Sequence, residues 1–375
     1  METALTLQPE FWNDGSVWVA EPAPSAEGRM LAQYARDKLQ VRDWCFFQTS
    51  GTEGIRKWVG LTKEALMISA RAVNAHFGIT ASDHWLLALP TYHVGGFGIL
   101  ARSAASGSKV TQLEGKWDAG VFVQRCTDVG ATLASLVPTQ IFDLLAGKLS
   151  APETMRVVLV GGGALNRELE DAALNLGWPI RRTYGMTETA SGVAAQRGAG
   201  GSMEVLPIWN VSTNTEGVLS VSGAALAKGY AICEAGTWRW EAIPADGLRT
   251  RDRVEVILNA AGRTCLRFVG RESGIVKILG ELVALEPIQD RIEMLKLQLG
   301  VPGADAAVCD VADGRKESRL VLTVSGMSVS DSAKLQSCLN KTLRPLEHVL
   351  QVRMIDAIPR SELGKVRLSV LREML

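Results

Sequence analysis

The chain has 375 residues, of which 47% are apolar and 21% charged, and these fractions are typical of a globular protein. Forty basic and forty acidic residues leave no formal net charge, which argues against a nucleic-acid partner held mainly by charge. Because the six cysteines are dispersed without a C-x-x-C pair, and no apolar run approaches about 18 residues, we predict a cytoplasmic protein without a zinc site, a membrane span or a secretory signal.

Short apolar runs alternate with helical patterns in the first half of the chain. Predicted strands cover residues 43–48, 85–89, 132–137 and 157–160, and predicted helices cover residues 26–39 and 63–77. Thr62 is a good N-cap for the second of these helices. Because buried strands separated by helices usually form parallel sheets, this order predicts an α/β fold with largely parallel strands.

The pattern changes after about Thr215. Strands are predicted at residues 217–223, 252–258 and 262–270, as in a small β-rich subdomain. An α+β pattern follows Arg271, with helices predicted at residues 286–299 and 331–343 and strands at residues 306–309, 320–325 and 352–355. We therefore predict two domains, a large α/β domain with a β-rich subdomain (residues 1–271) and a small α+β domain joined to it by a hinge (residues 272–375).

A run rich in glycines and hydroxyl side chains follows the first buried strand. It reads Thr49-Ser50-Gly51-Thr52-Glu53-Gly54-Ile55-Arg56-Lys57. The two glycines let the backbone approach a ligand, successive N–H groups can form an anion-binding nest, and Lys57 adds a positive charge. The run is therefore predicted to bind phosphate. The alternative is a plain glycine turn between a strand and a helix.

A second polar run, residues 182–189, carries groups suited to a nucleotide. Tyr184 offers a flat face on which a purine can stack, and Gly185 follows it. Thr187 offers a hydroxyl for a phosphate, and Glu188 offers a carboxylate for Mg²⁺, which prefers oxygen ligands. The alternative is an ordinary polar loop after a strand.

A glycine triplet, Gly161, Gly162 and Gly163, directly follows the predicted strand at residues 157–160. The missing side chains would let a flat ligand lie against the backbone. Taken alone this is a weak signal, because glycine triplets also occur in plain turns.

In this order, the three motifs resemble those of the adenylate-forming superfamily of acyl-CoA synthetases, luciferases and peptide-synthetase adenylation domains. The first is similar to that family's T-S-G-T-T-G-x-P-K loop, and the second to its Y-G-x-T-E segment. Further segments that resemble the family follow in family order, at residues 247–252, 268–271 and 359–365. The resemblance covers about residues 43–375.

The resemblance implies a role for each matched residue. The phosphate loop, Gly162, Gly163, Tyr184 and Gly185 would bind ATP. Asp252 and Arg271 would hold the ribose hydroxyls, and Glu188 would bind Mg²⁺. The catalytic residues would be Lys365, His93 and Thr187, and the hinge between the two domains would be Ser273.

The resemblance also implies the reaction. A small carboxylic acid attacks the α-phosphorus of MgATP and expels pyrophosphate, and the thiol of coenzyme A then attacks the acyl-adenylate. The C-terminal domain would move between the two steps and withdraw Lys365. ATP, Mg²⁺ and coenzyme A are thus the expected ligands.

The chain departs from the family pattern at several points. Glu53 and Arg56 replace a hydroxyl residue and a proline of the phosphate loop, and Arg251 replaces the glycine before Asp252. The first domain is shorter at its start than in related enzymes, which would leave edges for a partner subunit, such as a second copy in a homodimer, to cover. A non-catalytic nucleotide-binding relative therefore stays among the alternatives.

Residues 90–102 bear on the identity of the acid, because in the family this stretch borders the acyl pocket. His93, Gly95 and Arg102 are the candidate substrate-binding residues, and Arg102 falls inside an apolar helical pattern where an unpaired cation is costly. The spacing of His93 and Arg102 resembles that of o-succinylbenzoate–CoA ligases of menaquinone and phylloquinone synthesis, whose substrate has a second carboxylate. The alternatives are a surface arginine and a ligase for another small aryl or alkyl acid.

Overall fold

The computed structural model describes residues 9–50, 56–163, 165, 167–271, 274–313, 317–361 and 364–375. Its helices are α1 (Ala26–Asp37), α2 (Lys63–Phe77), α3 (Val94–Ser106), α4 (Ala119–Val129), α5 (Pro138–Ala146), α6 (Arg167–Asn175), α7 (Leu285–Gln298), α8 (Val329–Asn340) and α9 (Leu368–Glu373). Its strands are β1 (Trp18–Ala20), β2 (Trp44–Ser50), β3 (Arg56–Thr62), β4 (His84–Leu87), β5 (Lys109–Gln112), β6 (Leu133–Leu136), β7 (Val157–Val160), β8 (Ile180–Tyr184), β9 (Ala194–Gln196), β10 (Met203–Val205), β11 (Trp209–Thr213), β12 (Val218–Gly223), β13 (Gly229–Glu234), β14 (Thr237–Ala242), β15 (Leu248–Leu258), β16 (Thr264–Arg271), β17 (Ile275–Ile278), β18 (Glu281–Ala284), β19 (Asp305–Asp313), β20 (Glu317–Ser325) and β21 (Gln351–Met354). None of the helices in these ranges is long and apolar enough to cross a membrane.

An eleven-stranded sheet forms the centre of the molecule, in the order β11-β12-β15-β16-β10-β9-β8-β7-β6-β4-β5. Strands β4 to β8 pair in parallel, whereas the strands from β9 onward pair antiparallel. Every residue of β6 and β7 is buried, which explains why β7 is an uninterrupted apolar run and why Ser135 is the single polar residue of β6. The predicted fold class is confirmed, and parallel pairing is confined to one half of the sheet.

A second sheet has five strands in the order β1-β2-β3-β13-β14. Strands β2 and β3 form an antiparallel pair on either side of the phosphate-loop sequence, with Thr49 opposite Lys57. The sequence analysis missed β3, because its apolar residues directly precede the helical pattern of α2. The β-rich segment after Thr215 is shared between the sheets: β12, β15 and β16 extend the large sheet, and β13 and β14 extend the second one.

The buried ammonium of Lys63, at the start of α2, holds the segment that precedes β1. It donates hydrogen bonds to the carbonyl of Phe11, the carboxylate of Asp14 and the hydroxyl of Ser16. The ring of Phe11 packs edge-on against Phe97 of α3, with 6.2 Å between the ring centroids. This contact braces the helix that carries the candidate substrate-binding residues.

The C-terminal α+β region packs β17 to β20, α7 and α8 around a core of its own. Helix α7 also contacts α5, one of the helices that pack on the large sheet. The ammonium of Lys296 in α7 lies 4.7 Å from the ring centroid of Phe142 in α5. Gly364 touches the same helix so closely that a Cβ there would overlap the side chain of Thr139. Residues 272 and 273, where we predict the hinge, lie outside the described residues, so the division into two domains stays a prediction.

Three acidic residues, Glu286, Asp290 and Glu293, follow one face of α7 at helical spacing and line the cavity described below. Desolvation, together with the negative charges of Glu286 and Glu293, raises the pKa of Asp290 to about 7. The closed arrangement of the two regions therefore encloses carboxylates that repel one another.

We predict that Asp290→Asn stabilises the protein at pH 8 but not at pH 4. The pKa of Asp290 rises from 3.8 to about 7 on folding, so the folded protein binds more protons between these values and loses stability as pH rises through them. Melting temperatures measured across this range test the prediction. The control is Asp37→Asn, at an exposed position of α1. A pH-independent effect of Asp290→Asn would contradict the argument.

Candidate functional site

A cavity of about 2450 Å³ lies between the large sheet and the C-terminal region. The described residues with a predicted binding or catalytic role all line it: Thr49, Lys57, His93, Gly95, Arg102, Gly162, Gly163, Tyr184, Gly185, Thr187, Glu188, Asp252, Arg271 and Lys365. The other predicted site residues, Gly51, Thr52, Gly54 and Ser273, lie outside the described residues, as does Glu53, and Ser50 is described only as the last residue of β2. Residues from motifs far apart in the sequence thus converge on one place.

Asp252 is a buried carboxylate in the cavity wall, with 2% of its surface exposed. The phenol of Tyr184 donates to Oδ2 at 2.8 Å, and Arg271 Nε donates to Oδ1 at 2.8 Å. Burial, and then the charge of Asp252, raise the pKa of Tyr184, so the phenol stays protonated and continues to donate. Oδ2 also accepts from Arg271 Nη2 at 3.5 Å, whereas Oδ1 has a further lone pair, so the group can still accept a bond from a ligand hydroxyl.

Lys365 extends into the cavity from the C-terminal region and is exposed there. Desolvation by the surrounding walls lowers its pKa, repulsion by Arg271 lowers it further, and the charges of Glu286 and Asp252 oppose the shift. The ammonium is therefore within electrostatic reach of the Asp252–Arg271 pair. A short turn holds the segment, in which Ser361 N donates to the carbonyl of Lys365 at 2.7 Å.

Glu188 follows β8 in a short 3-10 turn, Thr187–Thr189. Burial raises its pKa, whereas the phenol of Tyr230, which donates to Oε1 at 3.2 Å, lowers it. Within the described parts of the chain, no group of three or more potential metal ligands exists. A single carboxylate beside a phosphate site nevertheless fits Mg²⁺, which is commonly held by one or two carboxylates together with substrate phosphates and water.

The described part of the predicted phosphate loop is the antiparallel pair on either side of it. The hydroxyl of Thr49 donates across this pair to the carbonyl of Lys57 at 3.4 Å. The ammonium of Lys57 lies over the ring of Tyr230, 5.4 Å from its centroid. Lys57 is therefore directed toward the same side chain that contacts Glu188.

Two glycines of the site are required by backbone geometry. Gly162 has a φ of 79°, in the left-handed region that disfavours residues with a side chain. At Gly185, a Cβ would overlap the carbonyl oxygen of Ser191. The turn that carries Glu188 can therefore close onto Ser191 only because residue 185 has no side chain.

Arg102 is buried in the middle of α3, with 4% of its surface exposed, and it lines the cavity. Its Nη2 donates to the hydroxyl of Ser191 at 2.9 Å, whereas Nε and Nη1 are buried without a hydrogen-bond partner. Desolvation lowers its pKa to about 10, so the guanidinium remains charged near neutral pH. The predicted alternative of a surface arginine is wrong. His93 precedes the same helix as its N-cap residue, in ring contact with Tyr92 at 4.7 Å between centroids.

The sequence analysis did not single out three residues that contact the predicted ones. Ser191 accepts the bond from Arg102, Tyr230 donates to Glu188, and Glu286 acts on Lys365 through its charge. For Ser191 a weak signal exists, because the Ser-Gly dipeptide at residues 191–192 indicates a turn. The other two lie on a strand and a helix outside the motifs, and nothing local marks them.

Comparisons with known proteins identify the family of this chain. A family model of AMP-binding enzymes matches residues 12–231. A probable 2-succinylbenzoate–CoA ligase of Mycobacterium tuberculosis is 28% identical over 340 residues, which cover 85% of this chain and 81% of that protein.

Solved structures are similar as well. A variant of Escherichia coli MenE with bound OSB-AMS is 26% identical with a TM-score of 0.68, over 88% of this chain and 68% of that one. The o-succinylbenzoate coenzyme A synthetase of Bacillus subtilis, solved with ATP and magnesium ion, is 20% identical with a TM-score of 0.72, over 98% and 82% of the two chains, which bears on the fold alone. Since the family model spans more than half of the sequence, this chain belongs to the AMP-binding enzymes, as an AMP-forming acyl-CoA ligase.

Proposed function

We propose that the protein is a 2-succinylbenzoate–CoA ligase, acting through an acyl-adenylate in the synthesis of menaquinone or phylloquinone. The name of the Mycobacterium tuberculosis relative supports this substrate. The observation that carries the proposal is the buried, incompletely paired guanidinium of Arg102 in the cavity.

An enclosed cation without an anion is unfavourable, and one hydrogen bond donated to a neutral serine, with the ring centroid of Trp85 5.9 Å away, offsets only part of the cost. A substrate carboxylate would supply the missing charge together with acceptors for the N–H groups that lack partners. A monocarboxylic acid cannot do this, because its single carboxylate must lie at the α-phosphate to react. Arg102 therefore favours an acid with two carboxylates, one to react and one to anchor.

In the first step, the reacting carboxylate oxygen would attack the α-phosphorus while the bond to pyrophosphate breaks. Lys365 would bridge the carboxylate and the α-phosphate, Thr187 would donate to the α-phosphate, and Lys57 with the phosphate loop would hold the β- and γ-phosphates. Mg²⁺ held by Glu188 would neutralise charge on the departing pyrophosphate. The chain's contribution is thus to position charged groups before the reaction.

The adenosine part of ATP would be held by the other predicted residues. Asp252 and Arg271 would accept and donate bonds at the ribose, and the ring of Tyr184 would lie against the adenine. Gly162 and Gly163 would let the base approach the backbone. The hydrogen bond between Tyr184 and Asp252 supports this assignment, since it fixes the residue proposed to bind adenine relative to the residue proposed to bind the ribose.

In the second step, the thiol of coenzyme A would attack the acyl carbonyl and release AMP. Residues 272–375 would rotate about Ser273 to withdraw Lys365, and His93 would turn away from the acyl group to admit the thiol. The position of Lys365 near the Asp252–Arg271 pair corresponds to the first step. Opening would return water to Asp290 on α7, whose burial raises its pKa, and this would assist the separation.

We predict that wild-type protein releases pyrophosphate with 2-succinylbenzoate but not with benzoate, and that Arg102→Met removes this preference. Losing a charged hydrogen-bonded partner costs about 1.5–3 kcal/mol, so the Michaelis constant for 2-succinylbenzoate should rise roughly 10- to 100-fold. The ligand-free variant should be more stable, since methionine leaves no buried unpaired N–H group. A pyrophosphate-release assay and melting temperatures measure both effects.

The matched control is Arg125→Met, at an exposed position of α4, which should leave both acids unchanged. Preference of the wild type for benzoate would rule out the proposed substrate and favour a ligase for another small acid. Absence of pyrophosphate release with every acid tested would favour a non-catalytic nucleotide-binding relative. An unchanged Michaelis constant for 2-succinylbenzoate with a lower maximal rate in Arg102→Met would show that Arg102 does not bind the second carboxylate.

We also predict that Lys365→Ala loses adenylation but keeps thioester formation from preformed acyl-adenylate. Removing a charged group that stabilises the transition state costs about 100- to 1000-fold in rate. Pyrophosphate release measures the first step, and CoA thioester formation from synthetic acyl-adenylate measures the second. Lys341→Ala, at an exposed position after α8, is the control. Loss of both steps would refute the role of Lys365.

A further inference from the structure

Tyr230 lies between two groups that the proposed reaction uses. Its phenol donates to Oε1 of Glu188 at 3.2 Å, and the ammonium of Lys57 lies over its ring, 5.4 Å from the centroid. Strand β13 pairs antiparallel with β3, so that Tyr230 stands opposite Val59 and Ile232 stands opposite Lys57. The pairing of two strands thus delivers one aromatic side chain to both charged groups, in the wall of the cavity.

We propose that Tyr230 is a positioning residue, which orients Glu188 for Mg²⁺ and keeps Lys57 separate from it. This inference rests on the proposed function, because it requires Glu188 to bind the metal and Lys57 to bind the phosphates. Tyr230 itself touches neither the metal nor the reacting atoms. It acts through the two residues that do.

The effect on Glu188 follows from the directionality of the hydrogen bond. A carboxylate that binds Mg²⁺ must present an oxygen to the ion at a fixed angle, and a side chain free to rotate loses affinity when it is ordered. The donor on Oε1 fixes the rotation of the carboxylate before the metal arrives. In metal sites, such supporting bonds are commonly worth 10- to 100-fold in metal affinity.

The effect on Lys57 follows from charge. If Lys57 and Glu188 approached directly, they would form an ion pair, and both would have to leave it before binding phosphate and metal. No such pair is present between these two described residues, because each contacts a different part of Tyr230. The ring face attracts the ammonium, and the hydroxyl donates to the carboxylate. The tyrosine therefore stabilises both charges while keeping them apart.

Tyr230→Phe tests the first of these effects, because it removes the hydroxyl and retains the ring beneath Lys57. We expect affinity for Mn²⁺, measured by electron paramagnetic resonance in the complex with a non-hydrolysable ATP analogue, to fall about tenfold. Binding of AMP without metal should be unchanged, which also reports on folding. Tyr34→Phe is the matched control, because Tyr34 stacks on Trp238 outside the cavity. Unchanged Mn²⁺ affinity in Tyr230→Phe would overturn the inference.

A double variant distinguishes the positioning role of Tyr230 from the proposed function on which that role rests. Glu188→Gln should weaken Mn²⁺ binding, and adding Tyr230→Phe should weaken it no further, because the tyrosine acts through the carboxylate. Additive losses would overturn the positioning role. If Glu188→Gln leaves Mn²⁺ affinity unchanged, the metal-binding role of Glu188 fails and the inference fails with it. If only Tyr230→Phe is without effect, the inference fails and the proposed function stands.

Discussion

The buried carboxylate of Asp252 is the constraint on which the arrangement of the site depends. With 2% of its surface exposed, it is tolerated only where donors replace water, and Tyr184 and Arg271 supply them. The three residues come from β8, β15 and β16 of one sheet, so the strand pairing that builds the fold also assembles this group. Burial is the main cause of the raised pKa of Glu188, and the charge of Asp252 adds to that rise while it opposes the fall in the pKa of Lys365. One buried charge therefore acts on Glu188 and Lys365 as well as on its own hydrogen-bond partners.

Another residue of the cavity wall, Arg102, has the reverse arrangement, a buried cation without an anion. Arg102 is held in place by its helix, whose residues Phe97, Ile99 and Leu100 are fully buried. Their apolar packing offsets the cost of enclosing a guanidinium with two unpaired N–H groups. Burying this cation lowers the stability of the protein but favours selectivity. A ligand with a negative charge would restore the charge interaction and the hydrogen bonds that the guanidinium lacks. Under the proposed function, the second carboxylate of the acid would supply the missing charge on binding.

The contact between the C-terminal region and the rest of the chain combines attraction with repulsion. Lys296 lies over Phe142 and Gly364 fits against Thr139, while Asp290 is enclosed among like charges. The like charges all lie on α7, so what separation would relieve is the loss of hydration of Asp290, which lowers the cost of leaving. The two-step reaction that we propose requires this property, since Lys365 must be present for the first step and absent for the second.

The sequence by itself determined the fold class, nearly half of the strands and helices, and many of the residues that line the cavity. Strand β7 was predicted with its observed bounds because burial on both faces makes such a strand an unbroken apolar run, and the motifs were recognisable because they are contiguous. Only the tertiary structure showed that β3 is a strand. Its apolar residues directly precede α2, so the sequence does not separate their pattern from that of the helix. The tertiary structure alone paired Arg102 with Ser191, which lies 89 residues away, and Tyr230 with Glu188, which lies 42 residues away. Local propensity and spacing cannot specify such contacts, because they depend on which strands pair across the sheets and in which register.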